Sequence, residues 1–389
     1  MHADAVATEG AALSPEHQDL IHMVRDFTAE VIAPVSAQHD REHSFPYEVV
    51  ARMGEIGLFG LAFPEEYGGM GGDYFAHCLA LEEIAKADQS VAITLEAGVS
   101  LGAMPIYRFG SEAQKQEWLP RLAAGTALGA FGLTEPGAGS DAGGTRTRAR
   151  LDGGEWVIDG SKQFITNSGT DITEVITVTA VTDERDGRKE ISSILVPRPT
   201  PGLTVEPAYD KVGWHASDTH PLTFEAVRVP EANLLGERGR GFANFLRTLD
   251  EGRIAIAALA VGAAQGCVDA SVAYANEREA FGAHIGRFQS IAFKIARMEA
   301  RAHAARLAYY DAARLMLAGR PFKKEAAIAK LIASEAAMDN ARDATQVFGG
   351  YGFMNDYPVA RHYRDSKILE IGEGTSEVQL MLIARELGL

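Results

Sequence analysis

The spacing of apolar residues changes twice along this 389-residue chain, and no other feature limits the possible folds so strongly. Over residues 14–128 apolar side chains recur at helical spacing, as at Leu20 and Val24. Residues 129–239 carry short β-rich runs separated by turn residues, with hairpin turns predicted at Gly153-Gly154 and Asp186-Gly187. Long alanine-rich helical patterns return over residues 240–389. The chain is therefore predicted to be mainly α with a β insert. We expect an N-terminal helical domain, a middle antiparallel β-barrel or sandwich domain and a C-terminal helical bundle domain within these bounds.

This organisation, together with the composition, excludes several classes of protein. A doubly wound dinucleotide fold alternates strand and helix, and the glycines of residues 68–72 follow no strand, so they are predicted to form a surface turn. The formal charge of −16 argues against a nucleic-acid partner, because phosphate binding needs a basic surface. Cys78 and Cys267 form no disulfide or metal pattern, and no run of about 20 apolar residues predicts a membrane span. We expect a cytoplasmic protein without a metal site.

Five segments combine glycine, hydroxyl and charged residues in ways that suit a ligand site. They are residues 131–141 (FGLTEPGAGSD), 164–167 (FITN), 250–253 (DEGR), 346–352 (QVFGGYG) and 371–377 (IGEGTSE). Each also has a structural explanation. The first segment can be an interdomain loop and the second the end of a core strand. The third can be an N-cap with an ion pair at a helix start, the fourth a helix C-cap and the fifth the N-cap of the last helix. The functional alternatives are close contacts with a ring or a pyrophosphate, and a helix N-terminus that binds an anion. Capping does not explain why Glu373 stands between two glycines.

Taken together and in this order, the motifs resemble those of the acyl-CoA dehydrogenase family. The resemblance runs from about residue 14 to residue 389 and includes residues 64–69 (PEEYGG), 133–141 (LTEPGAGSD), 277–282 (EREAFG), 346–350 (QVFGG) and 373–377 (EGTSE). Residues 250–253, 321–327 (PFKKEAA) and 361–365 (RHYRD) are most similar to the short-chain (butyryl-CoA) branch. The resemblance implies a C-terminal four-helix bundle, a homotetramer in which neighbouring subunits share FAD, an acyl-CoA substrate and an electron-transfer flavoprotein as acceptor.

The resemblance also implies roles for individual residues. Those implied to hold FAD are Phe131, Leu133, Thr134, Ser140, Phe164, Ile165, Thr166, Arg278, Phe281, Gln289, Gln346, Gly349, Gly350, Thr375 and Glu377. Those implied to contact or organise the acyl-CoA are Ser140, Asp250, Arg253 and Gly374. The family often has tryptophan where this chain has Phe164, and the exchange keeps an aromatic wall beside the flavin.

The resemblance makes Glu373 the base that removes the α-proton of the thioester, while FAD accepts the β-hydride. A carboxylate held away from water has a raised pKa and is a stronger base. Some relatives carry the base at the position of Gly252, which has no side chain here, so Glu373 is the candidate of the two. Gly372 stands where short-chain and medium-chain members have tyrosine. We hypothesise that the missing ring makes room for a bulkier, branched or cyclic acyl group.

Three alternatives remain beside this function. An acyl-CoA oxidase or a nitroalkane-oxidase-like enzyme keeps the fold and the flavin but changes the acceptor, and the latter usually has aspartate in place of Glu373. A flavin-containing nucleic-acid-binding or scaffold relative with low activity should carry a basic extension, and the charge of −16 argues against it. A nicotinamide-dependent reductase needs a strand–glycine–helix unit that the sequence lacks.

Overall fold

Residues 13–389 are described by the computed structural model, in which helices precede and follow a β-sheet along the chain. The N-terminal helices are α1 (Pro15–Phe27), α2 (Ala33–Glu42), α3 (Tyr47–Glu55), α4 (Tyr74–Ala85), α5 (Gln89–Glu96), α6 (Met104–Phe109) and α7 (Glu112–Ala123). Two π-helical turns, Thr28–Ile32 and Ala97–Ala103, join α1 to α2 and α5 to α6. Ser14 caps α1, because its side chain accepts a hydrogen bond from the His17 N–H at 3.2 Å.

Helix α4 lies in the interior of the protein. All of its residues are buried, because it packs against α1 and also against the long C-terminal helix α8 (Gly241–Glu277). Its two acidic residues can be buried because each has a cationic partner. Glu82 pairs with Arg306 at 2.7 Å and Glu83 with Arg25 at 3.2 Å.

The middle of the chain forms one sheet. Its strands are β1 (Leu128–Gly132), β2 (Arg148–Asp152), β3 (Glu155–Thr166), β4 (Thr173–Arg185), β5 (Arg188–Pro197), β6 (Leu203–Val205), β7 (Thr219–Pro230) and β8 (Leu234–Leu235). The order is β6-β7-β3-β2-β4-β5-β8, and β1 pairs with β4. Most neighbours are antiparallel, as predicted, but β1 runs parallel to β4, and a single parallel bridge joins β2 to β4. With this pairing, the C-terminal end of β1 lies next to the C-terminal part of β3, where the candidate site begins.

Turn chemistry fixes the hairpins that the sequence predicts. Gly153 and Gly154 both have positive φ between β2 and β3, and Asp186 and Gly187 do so between β4 and β5. Two-residue turns of this kind match the twist of the strands that they connect. The inward faces of the strands then bury Trp156, Phe224 and their apolar neighbours in a core of their own.

The C-terminal part is helical again. Its helices are α8, α9 (Gln289–Leu317), α10 (Lys323–Phe348), α11 (Pro358–Ser366) and α12 (Ser376–Glu386), and a small hairpin of β9 (Glu279–Ala280) and β10 (Ala283–His284) lies between α8 and α9. Helices α8, α9 and α10 pack on one another, and α12 packs against α10. The glycine C-cap predicted after residue 348 is confirmed, because Gly349 has a φ of 61° directly after α10.

The prediction that a long helix starts at residues 250–253 is wrong. Helix α8 begins at Gly241, so the DEGR segment lies inside the helix and cannot present a free helix N-terminus to an anion. Phe242, Phe245 and Leu249 already have helical spacing before that segment. Arg240 at the N-cap makes no capping hydrogen bond with its side chain, so the usual signal of a helix start is missing here.

Two helical segments are long and apolar enough to cross a membrane by composition alone. They are Gln89–Phe109 and Gly241–Glu277, and 89% and 83% of the residues in their apolar 18-residue stretches are buried inside the protein. Their apolar side chains are therefore used for packing between the N-terminal and C-terminal helices.

Candidate active site

The loop that carries Glu373 is fixed in an unusual backbone conformation. Glu373 has a φ of 51° and Gly374 a φ of 97°, both in a region that residues with side chains rarely adopt. The Gly374 carbonyl accepts hydrogen bonds from Lys330 Nζ and Gln379 Nε2, each at 2.8 Å. Thr375 caps α12 by accepting from the Val378 N–H at 3.3 Å, which confirms the cap predicted from the sequence. Three hydrogen bonds thus fix Gly374 and Thr375, the two residues that follow the left-handed Glu373, and a strained but well-determined residue of this kind is typical of functional sites.

The Glu373 carboxylate rests against the bare backbone of Gly252 in α8. A Cβ added to Gly252 would lie 2.5 Å from Glu373 Oε2, closer than any real contact. Oε2 itself is buried and has no hydrogen-bond partner within residues 13–389. Burial raises the pKa of Glu373 to about 7, although a hydrogen bond with Glu96 and the positive charges of Lys330 and Arg253 act in the opposite direction. The arrangement is a desolvated carboxylate whose pKa is near neutrality, which suits a general base.

A second carboxyl group, Glu96, faces Glu373 and was not singled out in the sequence. It is the last residue of α5, its exposure is 0%, and neither side-chain oxygen has a conventional hydrogen-bond partner among the described residues. Burial raises the pKa of Glu96 well above its ordinary value, and the neighbouring Glu373 raises it further. The only signal in the sequence is one acidic residue inside an apolar run, VAITLEAG over residues 91–98.

Lys330 is another residue that the sequence analysis missed. It is completely buried in α10, and burial lowers its pKa to about 8 in spite of the nearby Glu373. Its ammonium therefore both ties down the base loop and places a positive charge near the carboxylate.

Asp250 and Arg253 lie close to this loop, within α8. They form the local ion pair that was one of the two explanations open from the sequence. Arg253 is 3% exposed and its Nε has no partner in the described part of the chain, while its charge acts on Glu373. The buried guanidinium therefore stands next to the base loop and places a positive charge near the Glu373 carboxylate.

Strands β1 and β3 bring together the residues predicted beside the flavin ring. The Gln163 N–H donates to the Thr134 carbonyl at 2.8 Å, so the segment after β1 is joined to the end of β3. Phe131 is buried against Phe245 of α8, with ring centroids 5.0 Å apart. Phe164 has a φ of 60° and is 61% exposed, so a large aromatic face is available at the end of β3.

The other residues of this group differ in what they present. Ile165 points into the core of the sheet, so only its backbone can meet a ligand. Thr166, the last residue of β3, is half-buried, as are Leu133 and Thr134, whereas Ser140 is exposed.

A buried ion pair anchors the glycine-rich loop that contains Ser140. Glu135 accepts from Lys162 Nζ at 2.8 Å and from the N–H groups of Arg146 and Thr147 at 2.7 and 3.0 Å. Lys162 is fully buried and also donates to the Leu133 carbonyl at 3.0 Å. Glu135 and Lys162 thus have a structural role, in holding a loop whose outer residues are free to meet a ligand.

A second cluster of predicted residues forms a groove at the far end of α8. The groove has a volume of about 880 Å³, and Arg278, Phe281, Gly349 and Gly350 line it together with Tyr351 and others. A Cβ on either glycine would meet nothing within 4 Å, so backbone is open to a ligand there. Phe281 is 99% exposed and Arg278 lies over the Tyr351 ring at 5.6 Å.

The remaining predicted residues lie beside the lining of these two places. Gln289 is flanked by the lining residues Phe288 and Ser290, and Gln346 precedes the lining residue Val347. Glu377 lies in the first turn of α12, close to the base loop. Within residues 13–389 no cluster of three or more metal-binding side chains is present.

The groove and the base are far apart within one chain. Gly252 and the groove residue Tyr274 both lie on α8, and their separation of 22 residues corresponds to roughly 33 Å at about 1.5 Å per residue. The groove and the base loop are therefore separate places on one chain.

Comparison with known proteins agrees over almost the whole chain. The acyl-CoA dehydrogenase N-terminal, middle and C-terminal domains match residues 14–126, 130–227 and 239–388. The probable acyl-CoA dehydrogenase YngJ of Bacillus subtilis is 52% identical over 376 residues, covering 96% of this chain and 98% of the relative.

Solved structures agree equally well. Butyryl-CoA dehydrogenase of Megasphaera elsdenii is similar with a TM-score of 0.93 and 44% identity, covering 97% of this chain and 99% of that one. A chain solved in work on the electron transferring flavoprotein of Acidaminococcus fermentans has a TM-score of 0.94 and 44% identity, with the same coverage.

Proposed function

The chain belongs to the acyl-CoA dehydrogenase family, and on this premise we propose that Glu373 is its α-proton base and that a short or branched acyl-CoA thioester is its substrate. Members of the family are FAD-dependent enzymes that oxidise an acyl-CoA to the 2-enoyl-CoA. The observation that carries the assignment of Glu373 is its buried carboxylate, seated against the bare backbone of Gly252.

The α-proton of a saturated thioester is weakly acidic, so its removal needs a base that water does not weaken. The burial that raises the pKa of Glu373 to about 7 supplies such a base at neutral pH. Lys330 holds the Gly374 carbonyl and thereby the direction in which the Glu373 side chain leaves the loop. Bound FAD supplies the acceptor for the hydride from the β-carbon. Gly252 contributes by having no side chain, because any Cβ there would occupy the place of the carboxylate.

The residues present fit FAD. At the ring end we propose contacts from Phe131, Leu133, Thr134, Ser140, Phe164, Ile165, Thr166, Thr375 and Glu377, and at the adenine-dinucleotide end from Arg278, Phe281, Gln289, Gln346, Gly349 and Gly350. The exposed Phe164 offers a flat aromatic surface, and the open glycines of the groove let a pyrophosphate approach backbone N–H groups. Ser140, Gly374, Asp250 and Arg253 are proposed to contact or organise the acyl-CoA.

We further propose that the enzyme is a homotetramer in which one subunit's groove serves another subunit's base. The roughly 33 Å between Gly252 and Tyr274 along α8 separates the groove from the base of the same chain, which supports the sharing of FAD between neighbouring chains. The apolar side chain of Phe281, almost wholly exposed in one chain, supports a contact with a second copy. An electron-transfer flavoprotein is the proposed acceptor, in line with the A. fermentans relative. The two buried free thiols, Cys78 and Cys267, suit the reducing cytoplasm.

The substrate pocket is proposed to accept acyl groups wider than butyryl. A Cβ on Gly372 would meet only the Ile368 carbonyl at 3.4 Å and its Cγ1 at 4.0 Å, so the position has space on its other sides. The test is an anaerobic panel of butyryl-, isobutyryl-, 2-methylbutyryl-, isovaleryl-, hexanoyl- and cyclic acyl-CoA thioesters, each added to the flavoprotein while its visible spectrum is recorded. Preference for a branched or cyclic thioester supports the wider pocket, and clear preference for butyryl-CoA contradicts it.

The same panel tests the base. Wild-type flavin should be bleached by at least one thioester and Glu373→Gln flavin by none, although the variant should keep its flavin spectrum. A yellow wild-type protein that no thioester bleaches would contradict the dehydrogenase assignment and favour the scaffold alternative. Rapid recolouring of bleached enzyme by oxygen, faster than by an electron-transfer flavoprotein, would favour the oxidase.

A further inference from the structure

The carboxyl groups of Glu96 and Glu373 come from different parts of the chain and meet in the buried base region. Glu96 stands at the end of α5, where the π-helical turn Ala97–Ala103 begins, and Glu373 comes from the loop before α12. Both Glu96 oxygens and Glu373 Oε2 are buried without a hydrogen-bond donor among residues 13–389, and each carboxyl group shifts the pKa of the other. Glu96 also faces Ser100, whose hydroxyl is already shared with Tyr74 at 2.8 Å.

Two carboxylates in this position would have no donor between them. Both Glu96 oxygens and Glu373 Oε2 would then be buried without a partner, and two negative charges would repel each other in a dry environment. One proton shared by the pair removes both penalties, because a neutral carboxylic acid donates a hydrogen bond that the remaining carboxylate accepts.

Surrounding groups decide which of the two residues keeps the proton. Lys330 and Arg253 place their positive charges near Glu373 and favour its ionised form. Glu96 has Tyr74 and Cys78 around it, which are buried groups without charge, and no positive group within residues 13–389 acts on it. The proton therefore belongs on Glu96 and the charge on Glu373.

We propose that Glu96 is a positioning residue for the base: it remains protonated and donates a hydrogen bond that holds the Glu373 carboxylate against Gly252. This proposal rests on the proposed role of Glu373. The pair carries one negative charge before the α-proton is removed. Afterwards Glu373 is neutral, Glu96 still holds its own proton, and no charge remains buried in the pair.

The experiment compares Glu96→Gln with Glu96→Leu, which have similar size. The rate of flavin bleaching by a saturating thioester is measured from acidic to alkaline pH. Gln can still donate to Glu373, so the pH at which bleaching sets in should stay near that of the wild type. Leu cannot donate, so the ionised base is less stabilised and the onset should rise by about one pH unit. If Glu96 carried a charge, both variants would lower the pH at which bleaching sets in. That result would overturn the proposal, and so would a pH of onset that neither variant changes.

An infrared measurement tests the same proton without turnover. Wild-type protein labelled with ¹³C-glutamate should show a protonated-carboxyl band that persists at alkaline pH, disappears in Glu96→Gln and remains in Glu373→Gln. A spectrum without such a band would overturn the proposal even if the variants fold poorly. If no thioester bleaches the flavin at all, the proposed function fails, whereas the infrared band still decides the protonation of Glu96.

Discussion

Replacing Gly252 by alanine tests whether the empty space at this residue holds the base in place. The new Cβ would lie 2.5 Å from Glu373 Oε2, whereas an ordinary contact is at least 3.4 Å, so the oxygen must move by roughly 0.9 Å. A misplacement of about 1 Å in a catalytic group can cost about 10²-fold in rate, or about 2.7 kcal/mol of barrier. We expect Gly252→Ala to slow flavin bleaching about 100-fold at saturating thioester, as measured by anaerobic stopped-flow absorbance.

The matched controls separate displacement of the base from damage to the fold. Alanine is a better helix former than glycine by about 1 kcal/mol, so the thermal stability of Gly252→Ala should not fall on that account. Flavin content and the affinity for product should be close to wild type, and adding Gly252→Ala to Glu373→Gln should change little more. A Gly252→Ala enzyme that bleaches within about twofold of the wild-type rate would refute the reasoning, because the carboxylate would then not need this space.

Three further perturbations follow from the same contacts. Lys330→Met removes a positive charge that favours ionised Glu373, so the pH profile of bleaching should shift to higher pH; an unchanged profile would show that Lys330 acts only on the loop backbone. Glu135→Leu leaves the buried Lys162 without its carboxylate, so the free energy of unfolding in urea should fall by about 3–5 kcal/mol. Adding Lys162→Met removes the unpaired charge and should restore much of that loss. A Glu135→Leu protein as stable as wild type would contradict the anchoring role. Burial raises the pKa of Glu373 from 4.5 to about 7, so the stability gained by protonation is fully present below about pH 4.5 and is lost as the pH rises through about 7. The melting temperature of Glu373→Gln should lack this decline with rising pH. The same pH dependence of the melting temperature in the variant and in the wild type would disprove the prediction.

Local sequence signals predicted a large part of the architecture. The order of helical, β and helical regions, the hairpin turns at Gly153 and Asp186, and the Thr375 cap all depend on residues next to each other in the chain, and all are present. The start of α8 was misplaced because its true beginning has no side-chain cap, whereas Asp250 is a residue typical of helix starts. The parallel pairing of β1 with β4 depends on long-range packing, which no local pattern reports.

The candidate site divides in the same way. Glu373 is conspicuous in the sequence because glycines flank it, and the family motifs lead to it directly. Glu96 and Lys330 look like ordinary charged residues of helices. Their importance comes from complete burial, which arises only when α5 and α10 pack around the base loop.

Whether the Glu96 side chain faces Glu373 depends on the π-helical turn Ala97–Ala103, because the turn sets the rotation of the helix that carries Glu96. A π-turn amounts to one extra residue in an α-helix, and each residue changes the phase by about 100°. Near the end of the turn, Gly102 is pinned against Gly129, where an added Cβ would lie 2.6 Å from the Gly129 carbonyl oxygen. Deleting one residue between Glu96 and Gly102 would restore regular helix and rotate Glu96 away from Glu373 while Gly102 stayed in place. A chain of this architecture can thus gain or lose its proton-sharing partner by a single insertion or deletion, with no change in the identity of any active-site residue.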